Sequence, residues 1–284
     1  MKARSHLLLP VAVGAAALVC GGLAWLLSGL RWSGQERGAD GLLELMQATP
    51  GAAARISRPA PRPPRAQRWR SPMASVCPTV EPDLVERMAS LQLAPRSIRT
   101  DPSNFGERFE FDAFGNRIDP TPRVVVLHET VYGIESAIST FLTHHPRDED
   151  QVSYHSLVGL DGEVVQVLDP SKRAFGAGNS AFQGAWVVTN PKVGGSINNF
   201  ALHLSLETPL DGENASSSHS GYTDVQYDAT ALVLADWMRR FDIPWENITT
   251  HRHVDLGGER ADPRSFDWSK LKARLIALGV TSPC

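Results

Sequence analysis

Apolar residues recur at strand or helix spacing along most of the chain after residue 120. The run RVVVLHET (Arg123–Thr130) is rich in β-branched residues and predicts a buried strand that carries a histidine near its end. In NNFALHLSLET, leucines alternate with polar residues, which predicts a strand with two different faces. The Asp161-Gly162 step lies between two strand-like runs and predicts a hairpin.

Helical spacing separates these strand-like runs. Thr223, followed three positions later by Gln226, forms a capping-box pattern and predicts the start of the longest helix. Together the patterns predict a short helix in TVEPDLVERMASLQL, helices over about 134–144, 223–241 and 268–278, and a short strand near 247–249. Strands that alternate with helices, together with one hairpin, predict an α/β fold in which a mixed central β-sheet is flanked by helices.

The first 30 residues have a different pattern. The stretch from Leu7 to Leu30 carries no charge, and about twenty apolar residues are enough to cross a bilayer. Lys2 and Arg4 precede this stretch, so the positive-inside rule places residues 1–6 in the cytoplasm. We therefore expect an uncleaved transmembrane signal anchor over 7–30, with the rest of the chain exported. A cleaved signal peptide is the alternative, although its apolar region usually has about 7–15 residues.

Residues 31–75 are rich in Arg, Pro and Ala, as in RISRPAPRPPRAQRWR. Such a segment buries little apolar area, so we expect a disordered linker that tethers a domain over 76–284 across a cell-envelope space. A basic arm that touches acidic polymers or lipid head groups is the alternative. Because the basic excess lies in this segment, the remainder is acidic, which argues against binding to nucleic acid.

Two of the three cysteines bracket the expected domain. Cys77 stands at its start and Cys284 is the last residue, whereas Cys20 lies in the apolar stretch. In an exported protein this arrangement predicts an intramolecular Cys77–Cys284 disulfide. Two unpaired thiols are the alternative.

Two histidines and an aspartate end or follow predicted strands. The strand ends of an open sheet are where functional sites collect. The three residues are His128, His251 and Asp262. Two imidazoles and one carboxylate form a three-ligand zinc site with an open fourth position. Zinc lowers the pKa of a bound water from about 15.7 to about 7 and polarises a carbonyl oxygen. Spacing alone is weak support, because nine histidines offer many such triples and no H-E-x-x-H helix is present.

The chain from about Pro122 to Trp268 resembles the type 2 N-acetylmuramoyl-L-alanine amidases, a family related to phage lysozyme-type amidases and to peptidoglycan recognition proteins. The matching segments, in the family's order, are VVVLHET, VSYHSLVGLDGEVVQVLDPSKRAFGAGNSAFQG, NNFALHLSLET, GYTDVQY and ITTHRHVD...ERADPRSFDW. The resemblance implies that His128, His251 and Asp262 bind Zn²⁺, with His253 as the alternative to His251.

The resemblance also implies catalytic residues. Tyr154 matches the tyrosine of one branch of the family. Another branch uses a glutamate on the later strand, where strict alignment places Ser205, and Glu207 lies two residues along. We expect Glu207 to take the proton from the catalytic water and Tyr154 to orient water or substrate. Arg260 replaces a family lysine and is expected to stabilise the oxyanion.

The resemblance therefore implies a zinc-dependent enzyme that hydrolyses the amide bond between N-acetylmuramic acid and L-alanine in peptidoglycan or muropeptides. With the predicted anchor, its catalytic domain would work in the cell envelope, in the periplasm or another space outside the cytoplasmic membrane. The alternatives are a non-catalytic peptidoglycan-binding module and a zinc peptidase that acts within the stem peptide.

Overall fold

A computed structural model of the chain describes residues 58–63 and 68–283. The predicted cytoplasmic stub, the transmembrane anchor and most of the linker lie outside the described residues. Cys284 also lies outside them, so the Cys77–Cys284 disulfide stays a prediction. Across the described ranges, no helix combines the length and the apolar character that crossing a membrane requires. All described residues belong to one compact unit.

A six-stranded mixed sheet forms the centre of this unit and confirms the predicted sheet. Strands in chain order are β1 (Arg96–Ser97), β2 (Phe105–Glu107), β3 (Val124–Glu129), β4 (Ser156–Val158), β5 (Val164–Gln166), β6 (Lys172–Ala174), β7 (Val187–Asn190), β8 (Gly194–Ser196), β9 (Ala201–Leu206) and β10 (Ile248–Thr250). The central sheet has the order β1-β5-β4-β9-β3-β10. Its pairs are parallel except β4–β5, which is the predicted hairpin around Asp161-Gly162. Gly162 adopts a positive φ of 83°, a conformation that glycine allows at little cost.

Helices cover the sheet at the positions that the sequence predicts. They are α1 (Pro82–Ser90), α2 (Ile134–Leu142), α3 (Asp224–Phe241), α4 (His251–Val254) and α5 (Trp268–Ala277). The capping box of α3 is confirmed, because the Gln226 N–H donates to Thr223 Oγ1 at 3.2 Å and the Thr223 N–H donates to Gln226 Oε1 at 3.0 Å. The single turn of α4 directly after β10 was not predicted.

Alternation along β3 divides the hydrophobic core between the two faces of the sheet. Val125 and Leu127 pack in a larger cluster with residues of α3 and α5. Val124 and Val126 face a smaller cluster that includes Phe200 of the segment before β9. These β3 side chains are at most 2% exposed, and each fully buried side chain of this size contributes about 1.5–3 kcal/mol. The core therefore fixes β3 from both sides.

The folded unit includes residues upstream of the predicted boundary at residue 76. A 3₁₀ helix spans Pro72–Ser75, and Met73 is fully buried in the larger cluster. Lys272 of α5 donates from Nζ to the Met73 carbonyl at 2.9 Å and to the Val76 carbonyl at 2.7 Å. The end of the predicted linker is therefore part of the fold. A single apolar residue in a segment rich in Pro and Arg forms no periodic pattern that could have revealed this.

Candidate metal centre

The predicted ligand triad converges at the carboxyl ends of β3 and β10 in the central sheet. β10 pairs in parallel with β3, and Thr250 lies opposite Leu127. The residues that follow these two, His251 at the start of α4 and His128 in β3, therefore lie side by side. Asp262 reaches the same place from the loop between α4 and α5. Ligand atoms of the three side chains all lie within 4.8 Å of one another.

Both imidazoles turn Nδ1 toward the carboxylate. His128 Nδ1 lies 3.3 Å from Asp262 Oδ2, and His251 Nδ1 lies 3.1 Å from Asp262 Oδ1. Despite this contact with Asp262, His128 Nδ1 is a buried nitrogen for which the described residues provide no hydrogen bond of good geometry. A buried, unpaired imidazole nitrogen beside a second imidazole and a carboxylate fits a divalent metal such as zinc. His253 lies outside this group, with its ring 4.6 Å from that of Trp69.

The surroundings favour the protonation states that metal ligands need. Burial, and then the charge of His251, lower the pKa of His128 to about 4, so its imidazole is neutral at pH 7. Burial acts to raise the pKa of Asp262, but its interactions with His128 and His251 outweigh burial and lower that pKa. A neutral imidazole and an ionised carboxylate can both donate an electron pair to a cation.

A second layer of histidines lies behind the ligand His128. His128 Nε2 is 3.0 Å from Nδ1 of His203 in β9, and both imidazoles are fully buried. The His203 backbone N–H donates to His155 Nδ1 at 3.0 Å, and His155 Nε2 lies 3.1 Å from the Lys172 carbonyl. The sequence favours a structural histidine at His203 over a metal ligand. The sequence signal for this residue is that His203 occupies a polar position in the alternating NNFALHLSLET strand.

The residue after His128 belongs to a separate buried network. Glu129 accepts hydrogen bonds from the Tyr222 hydroxyl at 2.6 Å and from the Arg264 backbone N–H at 2.8 Å. The Arg264 guanidinium also pairs with Glu129, and His219 Nε2 lies 3.2 Å from the same carboxylate. Arg264 stands two residues after Asp262, so this network holds the loop that supplies the third ligand.

Tyr154 and Arg260 border the triad. The Tyr154 ring stacks on the His128 ring with centroids 4.5 Å apart. Burial and the charge of Asp262 raise the pKa of Tyr154, which keeps the phenol protonated. Arg260 is exposed. Its charge contributes to the lowered pKa of His128 and partly opposes the rise in the pKa of Tyr154. A hydrogen-bond donor and a cation therefore flank the candidate metal position.

Glu207 has other partners. Its Oε1 accepts from the Ile134 N–H and its Oε2 accepts from the Leu160 N–H, each at 2.8 Å. Both oxygens thus join the start of α2 to the β4–β5 hairpin. Ser205 stands opposite His128 in the register of β9 and β3, and its buried Oγ has no hydrogen-bond partner among the described residues. The structure does not bring the Glu207 carboxylate into the triad.

Comparisons with known proteins agree on one family. A family model described as N-acetylmuramoyl-L-alanine amidase matches residues 118–265, just over half of the 284-residue chain, and this range contains the whole triad. The chain is 32% identical over 124 residues to the 1,6-anhydro-N-acetylmuramyl-L-alanine amidase AmpD of Citrobacter freundii, which is 43% of this chain and 57% of that protein. It is 33% identical over 126 residues to AmpD of Enterobacter cloacae, 44% of this chain and 57% of that protein.

The chain spans less than two thirds of the length of these curated relatives. Among solved structures, it is similar to a crystal structure of a selenomethionine derivative of AmpD, with a TM-score of 0.48 and 24% identity. That match covers 65% of this chain and 96% of the other.

Proposed function

Because this chain belongs to the N-acetylmuramoyl-L-alanine amidase family, we propose that it hydrolyses the amide bond between N-acetylmuramic acid and L-alanine. The convergence of His128, His251 and Asp262 within the matched range carries this proposal. The substrate would be peptidoglycan or the muropeptides released from it. The names of the curated relatives specify a 1,6-anhydro-muramyl substrate, which makes such fragments the first to test.

The proposed cofactor is Zn²⁺. His128 and His251 would bind it through Nδ1, and Asp262 through a carboxylate oxygen, since these atoms face one another. When bound there, zinc would activate a water at neutral pH and polarise the scissile carbonyl.

Tyr154 and Arg260 supply the remaining proposed chemistry. The protonated phenol of Tyr154 would donate a hydrogen bond that orients the attacking water or the substrate amide. Arg260 is exposed, so its guanidinium would be available to the negative charge that develops on the carbonyl oxygen. The expectation that Glu207 is the base is not part of this proposal, because both of its oxygens already accept backbone hydrogen bonds.

The proposed location is the cell envelope, with residues 7–30 as the anchor and the catalytic unit exported. Protease treatment of intact spheroplasts tests this location. Digestion of the catalytic unit without lysis supports export, whereas protection until lysis contradicts it.

Mass spectrometry of digested 1,6-anhydro-muropeptides and of intact peptidoglycan tests the reaction. An amidase releases intact stem peptides that begin at L-alanine. A peptidase leaves L-alanine on the sugar, and a binding module releases nothing. Chelation should abolish the release, and about one equivalent of Zn²⁺ should restore it. Asp262→Asn tests the triad itself: it keeps the size of the side chain, removes the charge of a proposed ligand, and should lower both zinc binding and release. Release that survives full chelation would reject the zinc mechanism.

A further inference from the structure

His203 makes a contact that the proposed reaction does not use. Its Nδ1 lies 3.0 Å from Nε2 of His128, on the side of the ring opposite to the Nδ1 that faces Asp262. His203 is fully buried, and the described residues place no carboxylate in contact with it. Two facing ring nitrogens form a hydrogen bond only if one carries a proton and the other presents a lone pair.

The neighbouring histidine is already committed elsewhere. His155 Nδ1 accepts the backbone N–H of His203, so the proton of a neutral His155 is on Nε2, which donates to the Lys172 carbonyl. His155 therefore leaves the His203 ring to pair with His128. If His128 Nδ1 is a metal ligand, its proton must be on Nε2, and His203 Nδ1 must be the acceptor. The proton of a neutral His203 is then on its own Nε2, which is buried and has no hydrogen-bond partner among the described residues.

The His203 ring occupies space that is left by the missing side chain of Gly176. A Cβ atom added at Gly176 would lie 2.5 Å from His203 Nδ1 and 2.6 Å from its Cγ. Real Cβ atoms do not approach this closely, so any larger residue at 176 would displace the acceptor nitrogen. By contrast, a Cβ added at Gly178 would meet nothing within 4 Å.

We propose that His203 is a positioning residue that holds ligand His128 in its Nε2–H tautomer and in a fixed ring orientation. His128 Nδ1 is thereby left with a free lone pair directed at the metal position. This inference rests on the proposed function, because it requires His128 to be a metal ligand. Removal of such an outer partner lowers metal affinity about 10–100-fold in comparable sites.

Two nearly isosteric substitutions test the proposal. His203→Asn keeps an acceptor, Oδ1, near the place of Nδ1, whereas His203→Leu has the same branching without an acceptor. Zinc affinity, measured by competition with a chromophoric chelator, should fall about 10–100-fold in His203→Leu and by much less in His203→Asn. Thermal unfolding of the metal-free variants shows whether both lose the same packing.

A second route leaves His203 itself intact. Gly176→Ala should push its ring away from His128 and lower zinc affinity, whereas Gly178→Ala is the matched control and should not. In the metal-free protein, ¹⁵N chemical shifts of the His128 ring should report the Nε2–H tautomer. In His203→Leu they should move toward the Nδ1–H tautomer, which can donate to Asp262.

The outcomes separate this proposal from the proposed function. If the wild-type protein binds no zinc, the proposed function itself fails. If it binds zinc, equal affinities in His203→Leu and His203→Asn overturn the role of His203. So does a Gly176→Ala variant with wild-type affinity. Equal losses in both His203 variants, matched by equal losses of thermal stability, would show a purely structural residue and would also overturn it.

Discussion

Two adjacent side chains of β3 leave the strand on opposite faces and meet opposite conditions. His128 presents a buried Nδ1 that lies near Asp262 but makes no hydrogen bond of good geometry among the described residues. Glu129 is also buried, but its carboxylate accepts hydrogen bonds from Tyr222 and Arg264. A buried polar group without a partner costs about 1–3 kcal/mol, so a fold retains one where a ligand uses it. The face of β3 that carries His128 therefore offers a group to a metal, whereas the face that carries Glu129 stabilises the fold.

The two faces are nevertheless connected through one loop. Arg264 grips Glu129 and also donates to the carbonyls of Gly212 and Ser216, at 2.6 and 2.7 Å. Asp262 lies two residues earlier in the same loop. The hydrogen-bonded network around Glu129, on one face of β3, therefore positions Asp262 for the candidate metal site on the other face.

The largest expected effect comes from removal of the unsatisfied imidazole. His128→Ala should abolish stoichiometric zinc binding, and the loss of several kcal/mol of metal catalysis corresponds to a fall of about a thousandfold or more in amidase rate. Metal analysis and a muropeptide assay measure both effects. His253→Ala is the control, because His253 lies on the same short helix as the proposed ligand His251 but outside the triad. Zinc loss in His253→Ala alone would reverse the assignment.

Removal of the satisfied carboxylate should act on stability instead. Glu129→Ala leaves the largely buried Arg264 guanidinium without its carboxylate and with backbone carbonyls as its acceptors, which should lower the free energy of unfolding by up to about 3–5 kcal/mol. The folded variant should still bind one zinc, with lower affinity because the loop that carries Asp262 is held less firmly. Urea unfolding with metal analysis checks both. Glu107→Ala, which breaks the exposed ion pair with Lys172, should cost less than about 1 kcal/mol. Full loss of zinc in the folded Glu129→Ala protein would contradict the division between the faces.

Tyr154→Phe isolates one hydroxyl on the binding face. The ring contact with His128 remains, so zinc content and thermal stability should stay close to wild type. Loss of one donor near the reacting atoms should lower the amidase rate about a hundredfold. Steady-state assays on a defined muropeptide measure this change. An unchanged rate would remove Tyr154 from the proposed mechanism.

Much of the fold could be predicted because local patterns carry it. The β-branched run of β3, the Asp161-Gly162 step and the Thr223–Gln226 box each act within a few residues. The triad was reached through segments that resemble a known family.

Contacts between distant segments could not be predicted in this way. His128 and His203 are 75 positions apart, and Glu207 and Ile134 are 73 apart. Their meeting depends on strand order and on where α2 begins, and neither leaves a periodic signal. For the same reason, sequence reasoning placed Glu207 at the metal, whereas its oxygens meet two backbone amides.

The histidine layer predicts a loss of stability in acid. Burial lowers the pKa of His155 to about 3, below its ordinary value of 6.5. Between these values the unfolded chain binds a proton that the folded protein does not. The free energy of unfolding should therefore fall as pH decreases through this window, by about 1.4 kcal/mol per pH unit from this group. Urea unfolding at several pH values should give a shallower decline for His155→Gln, and identical slopes would contradict the prediction.

Glu207 gives the smallest expected effect and the sharpest test of which face it serves. If Glu207 caps α2, Glu207→Gln weakens one of two backbone hydrogen bonds and should lower the free energy of unfolding by about 1 kcal/mol, with most amidase activity retained. If Glu207 is instead the general base, the same variant should lose about 10²–10⁴-fold in rate at nearly unchanged stability. Urea unfolding and the pH dependence of kcat/KM separate the two, because only a base would remove the acidic limb of the profile. The two engaged oxygens favour the capping role, so Glu207 groups with Glu129 as a carboxylate that holds the fold.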